Sequence, residues 1–165
     1  MTRFKFGGME QKGLYLDETV TRMCYTHRRM FATLISHLLA EGKKDKAKKA
    51  LKYAEKVLPT YNLRMNYLSG GMEFANAYYA LGMKKKAQET VETMWKNSAQ
   101  YIRWYLSLNQ SRFNSSMNNC MMNLYVMQRL LELTSQYDSA LAEKKSTELQ
   151  QLMVSYRSRG GSIGE

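Results

Sequence analysis

Few residues in this chain could do chemistry by type and spacing. Cys24 and His27 stand one helical turn apart, and a tetrahedral zinc site would need His37 and Cys120 to converge with them. His27 falls on an apolar line at helical spacing, Val20, Met23, Cys24, His27, Phe31 and Leu34, where a hydrogen-bonded core histidine is the better reading. No metal is therefore expected. The two cysteines form no disulfide framework and read as buried free thiols; a bridge would need their Cα atoms within about 7 Å. No Ser-His-Asp or Cys-His set stands in a recognisable context, so no catalytic residue and no cofactor are expected. Ser69-Gly70-Gly71 lacks a following Gly-Lys-Ser and a strand–helix context. It reads as a helix start, not a phosphate loop.

Charge is the other chemical feature. Residues 43–56 carry seven lysines against two acids, and Lys48, Lys49, Lys52 and Lys56 share the helix face opposite the alanines. The plain reading is a solvated outer face that keeps the domain soluble. The functional reading is a surface for anionic phospholipid headgroups or nucleic acid, and the net charge of +11 supports either. Nucleic acid is the weaker partner, because no nucleic-acid-binding fold signature is present and only Tyr53 interleaves with these lysines.

The elements that must position these groups centre on Phe31–Pro59. Phe31, Leu34, Ile35, Leu38 and Leu39 define one helix face, Gly42 makes a turn, and Ala47, Ala50, Leu51, Ala54, Val57 and Leu58 define the next. Pro59 stops that second helix. Leu34, Gly42, Ala47, Ala54 and Pro59 stand at the spacing of a tetratricopeptide repeat, and the segment resembles one. Tyr79-Ala-Leu-Gly82-Met-Lys-Lys-Lys-Ala87 repeats Leu39-Ala-Glu-Gly42-Lys-Lys-Asp-Lys-Ala47 at a period longer than the usual ~34 residues, with Met94 in place of the second alanine.

Around this centre the expectation is all-α. Glycine is sparse and Pro59 is the single proline. Residues 1–16 read as an irregular lead-in whose Phe4, Phe6, Leu14, Tyr15 and Leu16 could dock on the domain. Asp17 is the N-cap of a first helix reaching Glu41. A third helix carries Phe74, Ala75, Tyr78 and Leu81, and a fourth runs from Lys84 through Leu106 with a kink allowed near Asn97-Ser98. Asn109–Ser116 reads as polar and turn-like. A fifth helix then carries Met117 to Leu131, and Asp138 caps a sixth through Tyr156. The expected architecture is about three stacked helical hairpins in a tetratricopeptide-like, right-handed array over residues 17–157, the third hairpin least regular and acting as a cap. Residues 158–165 are expected to form a disordered tail.

No apolar run approaches the ~18 residues of a membrane span, and the N-terminus lacks the apolar core of a secretion signal. Yet Tyr15 to Phe31, Tyr53-Ala-Glu-Lys-Val-Leu-Pro59, Ser69-Gly-Gly-Met72 and Trp104-Tyr-Leu-Ser-Leu108 together carry a further likeness. They are similar to the C-terminal region of a bacterial family of polytopic membrane proteins classed with protein O-mannosyltransferase-like glycosyltransferases of the C-superfamily type. The resemblance implies a soluble C-terminal module of a membrane protein, held on the periplasmic side. It also implies that the catalytic acids lie in a membrane-embedded N-terminal part absent from this chain.

The leading expectation is a non-catalytic interaction or scaffold module of such a protein; a basic domain binding anionic lipid surfaces or nucleic acid is the alternative. Expected partners are a protein or peptide, including the parent's own membrane domain. In stacked hairpins the first helix of each pair lines the concave wall. Arg22, Tyr25, Arg29 and Ser36 of the first helix, with Met72, Asn76 and Tyr79 of the third, would then line a groove. Such a set suits an extended peptide or a carboxylate, which arginine holds through two parallel bonds.

Overall fold

Asp17 opens the first helix as its sequence position predicts: its Oδ1 accepts the Val20 N–H at 2.8 Å. In the computed structural model, which describes residues 6–162, the helices are α1 (Glu18–Ala40), α2 (Lys44–Val57), α3 (Gly71–Ala80), α4 (Lys84–Ser107), α5 (Gln110–Tyr137) and α6 (Ser139–Ser158). A short 3-10 turn, Tyr67–Ser69, precedes α3. No strand occurs among the described residues. The chain divides into two compact units, Met1–Thr90 and Val91–Glu165, whose boundary falls inside the continuous α4.

In the first unit α1 packs on both α2 and α3. The α1–α2 turn is a Schellman motif: Gly42 is left-handed, Lys43 N–H donates to the Leu38 carbonyl at 2.8 Å, and Gly42 N–H to Leu39 at 3.0 Å. The same bonds recur after α3, from Met83 N–H to Tyr78 at 2.8 Å and from Gly82 N–H to Tyr79 at 2.9 Å. Ala47 and Ala87, five residues past each glycine, are both completely buried. The sequence repeat is thus a repeat of backbone geometry.

The buried stripe of α1 differs from the expected one. Val20 and Met23 are exposed, whereas Cys24, Arg28, Ala32 and Ile35 are buried. The stripe is rotated because Ala32 must lie against Gly70: a Cβ at Gly70 would stand 3.0 Å from that of Ala32 and 3.5 Å from the Arg29 Cα. The left-handed φ of +79° at Gly70 lets the chain enter α3 there.

The lead-in is tied down. Met9 joins Cys24, Leu58 and Leu63 in a buried cluster, with Phe6, Leu14 and Leu16 packed around it. The Tyr61 hydroxyl donates to the Glu10 carbonyl at 2.6 Å, and the Asn62 amide donates to Met9 at 2.8 Å and Gln11 at 2.5 Å. Tyr15, expected to dock, is exposed, and Phe4 lies outside the described residues.

In the second unit α5 packs on α6. Two expectations change here. Asn109–Ser116 is not a turn: the Asn109 side chain accepts the Arg112 N–H at 3.0 Å and α5 starts at Gln110. The apolar anchor is Phe113, fully buried and edge-on to Tyr156, and such burial contributes about 1.5–3 kcal/mol. The polar residues around it are the outer side of a helix. Helix α6 likewise continues past the expected tail start, through Ser158, and closes with a third Schellman motif, Gly161 N–H to the Tyr156 carbonyl at 3.1 Å. Arg159 fixes it, donating to the Leu108 carbonyl at 2.8 Å and to that of Leu106, with its guanidinium 4.7 Å from the Phe113 ring centre. Residues 163–165 lie outside the described residues.

Candidate functional site

The seven residues expected to line a groove all belong to the first unit, on α1 and α3, which pack together. Their side chains differ in what they offer. Arg22 is exposed and ion-paired one turn back to Glu18 at 2.5 Å. Arg29 is exposed, with its Cα and Cγ close beside Gly70, so it stands at the entrance to α3. Tyr25 is half-buried and its hydroxyl accepts the Asn66 amide at 3.0 Å. Ser36, Met72 and Asn76 are half-buried, and Tyr79 is buried. Tyr25 and Arg29 therefore converge on the 66–70 segment. The guanidinium groups of Arg22 and Arg29 are the exposed polar groups of the set, while Tyr79 is part of the packing.

The residue that organises this region went unnoticed in the sequence. Arg28 is 1% exposed, and its Nη2 donates to the carbonyls of Leu58 and Leu63, each at 2.7 Å. Its Nη1 donates to Arg64 at 3.2 Å. The last carbonyls of a helix have no partner within the helix, and a cation there also meets the negative end of the helix dipole. Arg28 thus closes α2 and holds the irregular 58–64 stretch against α1. Burial lowers its pKa to about 10, so it remains charged at neutral pH.

A second polar centre joins α2, α3 and the first turn of α4. The Tyr78 hydroxyl donates to Glu55 Oε1 at 2.7 Å, and Lys86 Nζ meets the same oxygen at 2.6 Å. Burial and the bond to Glu55 push the Tyr78 phenol well above its ordinary range, so it stays protonated. In the second unit the polar groups also bridge helices. Lys145, buried, donates to Glu92 at 2.6 Å and lies 4.8 Å from the centre of the Trp95 ring. Glu148 accepts from Trp95 Nε1 at 2.6 Å and pairs with Arg103. The bond from Lys145 holds the Glu92 carboxyl below its usual range.

The cysteines are free thiols, both buried, and burial raises the pKa of each, Cys120 to about 11. They are neutral and poorly nucleophilic at physiological pH. His27 is half-buried and lies edge-on to Phe6 at 5.7 Å. Among the described residues no three of His, Cys, Asp and Glu gather as metal ligands, and no helix is long and apolar enough to cross a membrane. No protein-family model, curated protein or solved structure matches this chain.

Proposed function

We propose that this chain is a non-catalytic helical-repeat interaction module. Its hairpins would stack in a tetratricopeptide-like, right-handed array, and its partner would be a protein or an extended peptide. The observation that carries this reading is the recurrence of one turn geometry at Gly42 and Gly82, each followed by a fully buried alanine, together with the packing of α1 on α3. Consecutive first helices touch in this way when hairpins stack. In the same proposal the module is the soluble, periplasmic C-terminal part of a glycosyltransferase-like membrane protein; this part rests on the resemblance of Tyr15–Phe31, Tyr53–Pro59, Ser69–Met72 and Trp104–Leu108 alone.

The partner would meet α1 through the exposed guanidinium groups of Arg22 and Arg29, which offer forked donors to a carboxylate. A photo-crosslinking residue placed at position 22 or 29, with position 154 on α6 as the control, tests this in cells. The expected result is one discrete adduct from both α1 positions and none from the control. Equal labelling from all three positions would contradict it, as would no adduct at 22 and 29.

A further inference from the structure

The cationic charge of the first unit is concentrated. Residues 1–90 hold 17 Lys and Arg against 8 Asp and Glu, a surplus of nine, whereas residues 91–165 hold 8 against 6. Within the first unit, residues 43–56 supply seven lysines and residues 84–86 three more, against Asp45 and Glu55. These two short stretches therefore carry eight of the nine surplus charges.

The structure puts the stretches beside each other. Ala47, Ala50, Leu51 and Ala54 are the buried side of α2, which leaves Lys49, Lys52 and Lys56 in line on the opposite, exposed side, with Lys48 flanking them. Glu55 lies one turn beyond Lys52 on the flank of α2, and it is Glu55 that receives Lys86 from α4. That ion pair brings the Lys84–Lys86 turn alongside the α2 row. Glu55 is also the acceptor of the Tyr78 hydroxyl, so its charge is drawn inward toward α3.

From this we propose that the outer side of α2 and the first turn of α4 form a peripheral docking surface for an anionic phospholipid bilayer. The side-chain types favour a lipid surface over nucleic acid. All ten cations in the two stretches are lysines, compact hydrated point charges without the forked donors of arginine. The single aromatic among them, Tyr53, is half-buried and edge-on to Phe31, so it offers no face on which a base could stack. A row on the exposed side of a helix about 20 Å long suits a planar headgroup layer. Because the apolar side of α2 is committed to the core, the helix lies on the surface without inserting. Binding is then electrostatic, reversible and sensitive to salt. This surface is distinct from the α1 residues proposed to meet a protein partner, and its test does not depend on them.

Sedimentation of the whole chain with phosphatidylcholine vesicles, with and without phosphatidylglycerol, tests the proposal. Binding is expected only to the anionic vesicles and is expected to fall steeply between low and high salt. The variant Lys49→Gln/Lys52→Gln/Lys56→Gln should lose about fivefold per lysine, about a hundredfold in all. Neutralising three exposed cations of the second unit, Arg112→Gln/Arg129→Gln/Lys144→Gln, should change binding by less than about twofold. All six positions are exposed, and unchanged helical circular dichroism would verify folding. The proposal fails if the two triple variants lose binding equally, if neutral vesicles bind as well as anionic ones, or if a duplex oligonucleotide displaces the chain from vesicles at equal charge concentration.

Discussion

The two units solve the same problem with one device and then diverge. In each, an arginine reaches carbonyls at the end of a helix: Arg28 takes those of Leu58, Leu63 and Arg64 beyond α2, and Arg159 takes those of Leu106 and Leu108 at the end of α4. The difference lies in what becomes of the remaining charge. The second unit spends its acids on its cations, Glu92 on Lys145 and Lys96, Glu148 on Arg103, so ion pairs knit its helices and little surplus remains. The first unit holds its buried cation on neutral carbonyls and sends its lysines outward. In the second unit Lys145 and Arg103 are tied through carboxylates to another helix; in the first, Arg28 apart, the described cations stand on the exposed side.

The sharpest way to break this comparison is at Arg28. Replacing it by methionine keeps apolar bulk and removes three bonds to carbonyls in a buried setting, which should cost about 3–5 kcal/mol in urea unfolding. A loss below about 1 kcal/mol would mean that the 58–64 stretch is held by something else. Gly70→Ala comes next. It combines a left-handed backbone with a Cβ pressed on Ala32, so about 2–3 kcal/mol should be lost if α1 and α3 truly meet there.

A smaller effect tests the second unit. Lys145→Met should cost about 1 kcal/mol at neutral pH, from a partly exposed ion pair and a cation over the Trp95 ring. Its pH dependence has a definite sign. The Glu92 carboxyl is held below its ordinary value of 4.5, so the stability it contributes is complete above that value and is lost as pH falls through the lowered one. The variant, lacking this contribution, should approach the native chain in stability as the solution is acidified. A gap that stays constant to strongly acidic pH would assign the loss to packing alone.

Much of the fold was legible because it is written locally. Period, Gly42, Gly82 and the Asp17 cap are short-range signals, and they located the six helices and the repeated turn. Arg28 was invisible because its partners lie some thirty residues away and hydrophobic periodicity carries no information about orphan carbonyls. A signal was present: Cys24, Arg28, Ala32 and Ile35 recur at helical spacing, and the proline-ended α2 leads into a stretch needing donors. Phe113 was missed for the opposite reason, a single anchor among asparagines and serines that resemble a turn. Of the candidate groove, the exposed Arg22 and Arg29 could be picked out by type and spacing. The inward placement of Tyr79 could not, since a tyrosine serves equally as wall or surface.

The most direct test of the contrast compares urea unfolding of two charge-neutralised variants under the same conditions. Lys49→Gln/Lys52→Gln/Lys56→Gln removes cations from the outer row of α2; Arg103→Gln/Lys145→Gln removes the cations that reach Glu148 and Glu92 from another helix. The first should stay within about 0.5 kcal/mol of the native chain, or gain slightly as repulsion is relieved, while the second loses about 1–2 kcal/mol. The reverse order, or equal losses, would contradict the account that the lysine row of α2 is free of structural duty while Lys145 and Arg103 bridge helices.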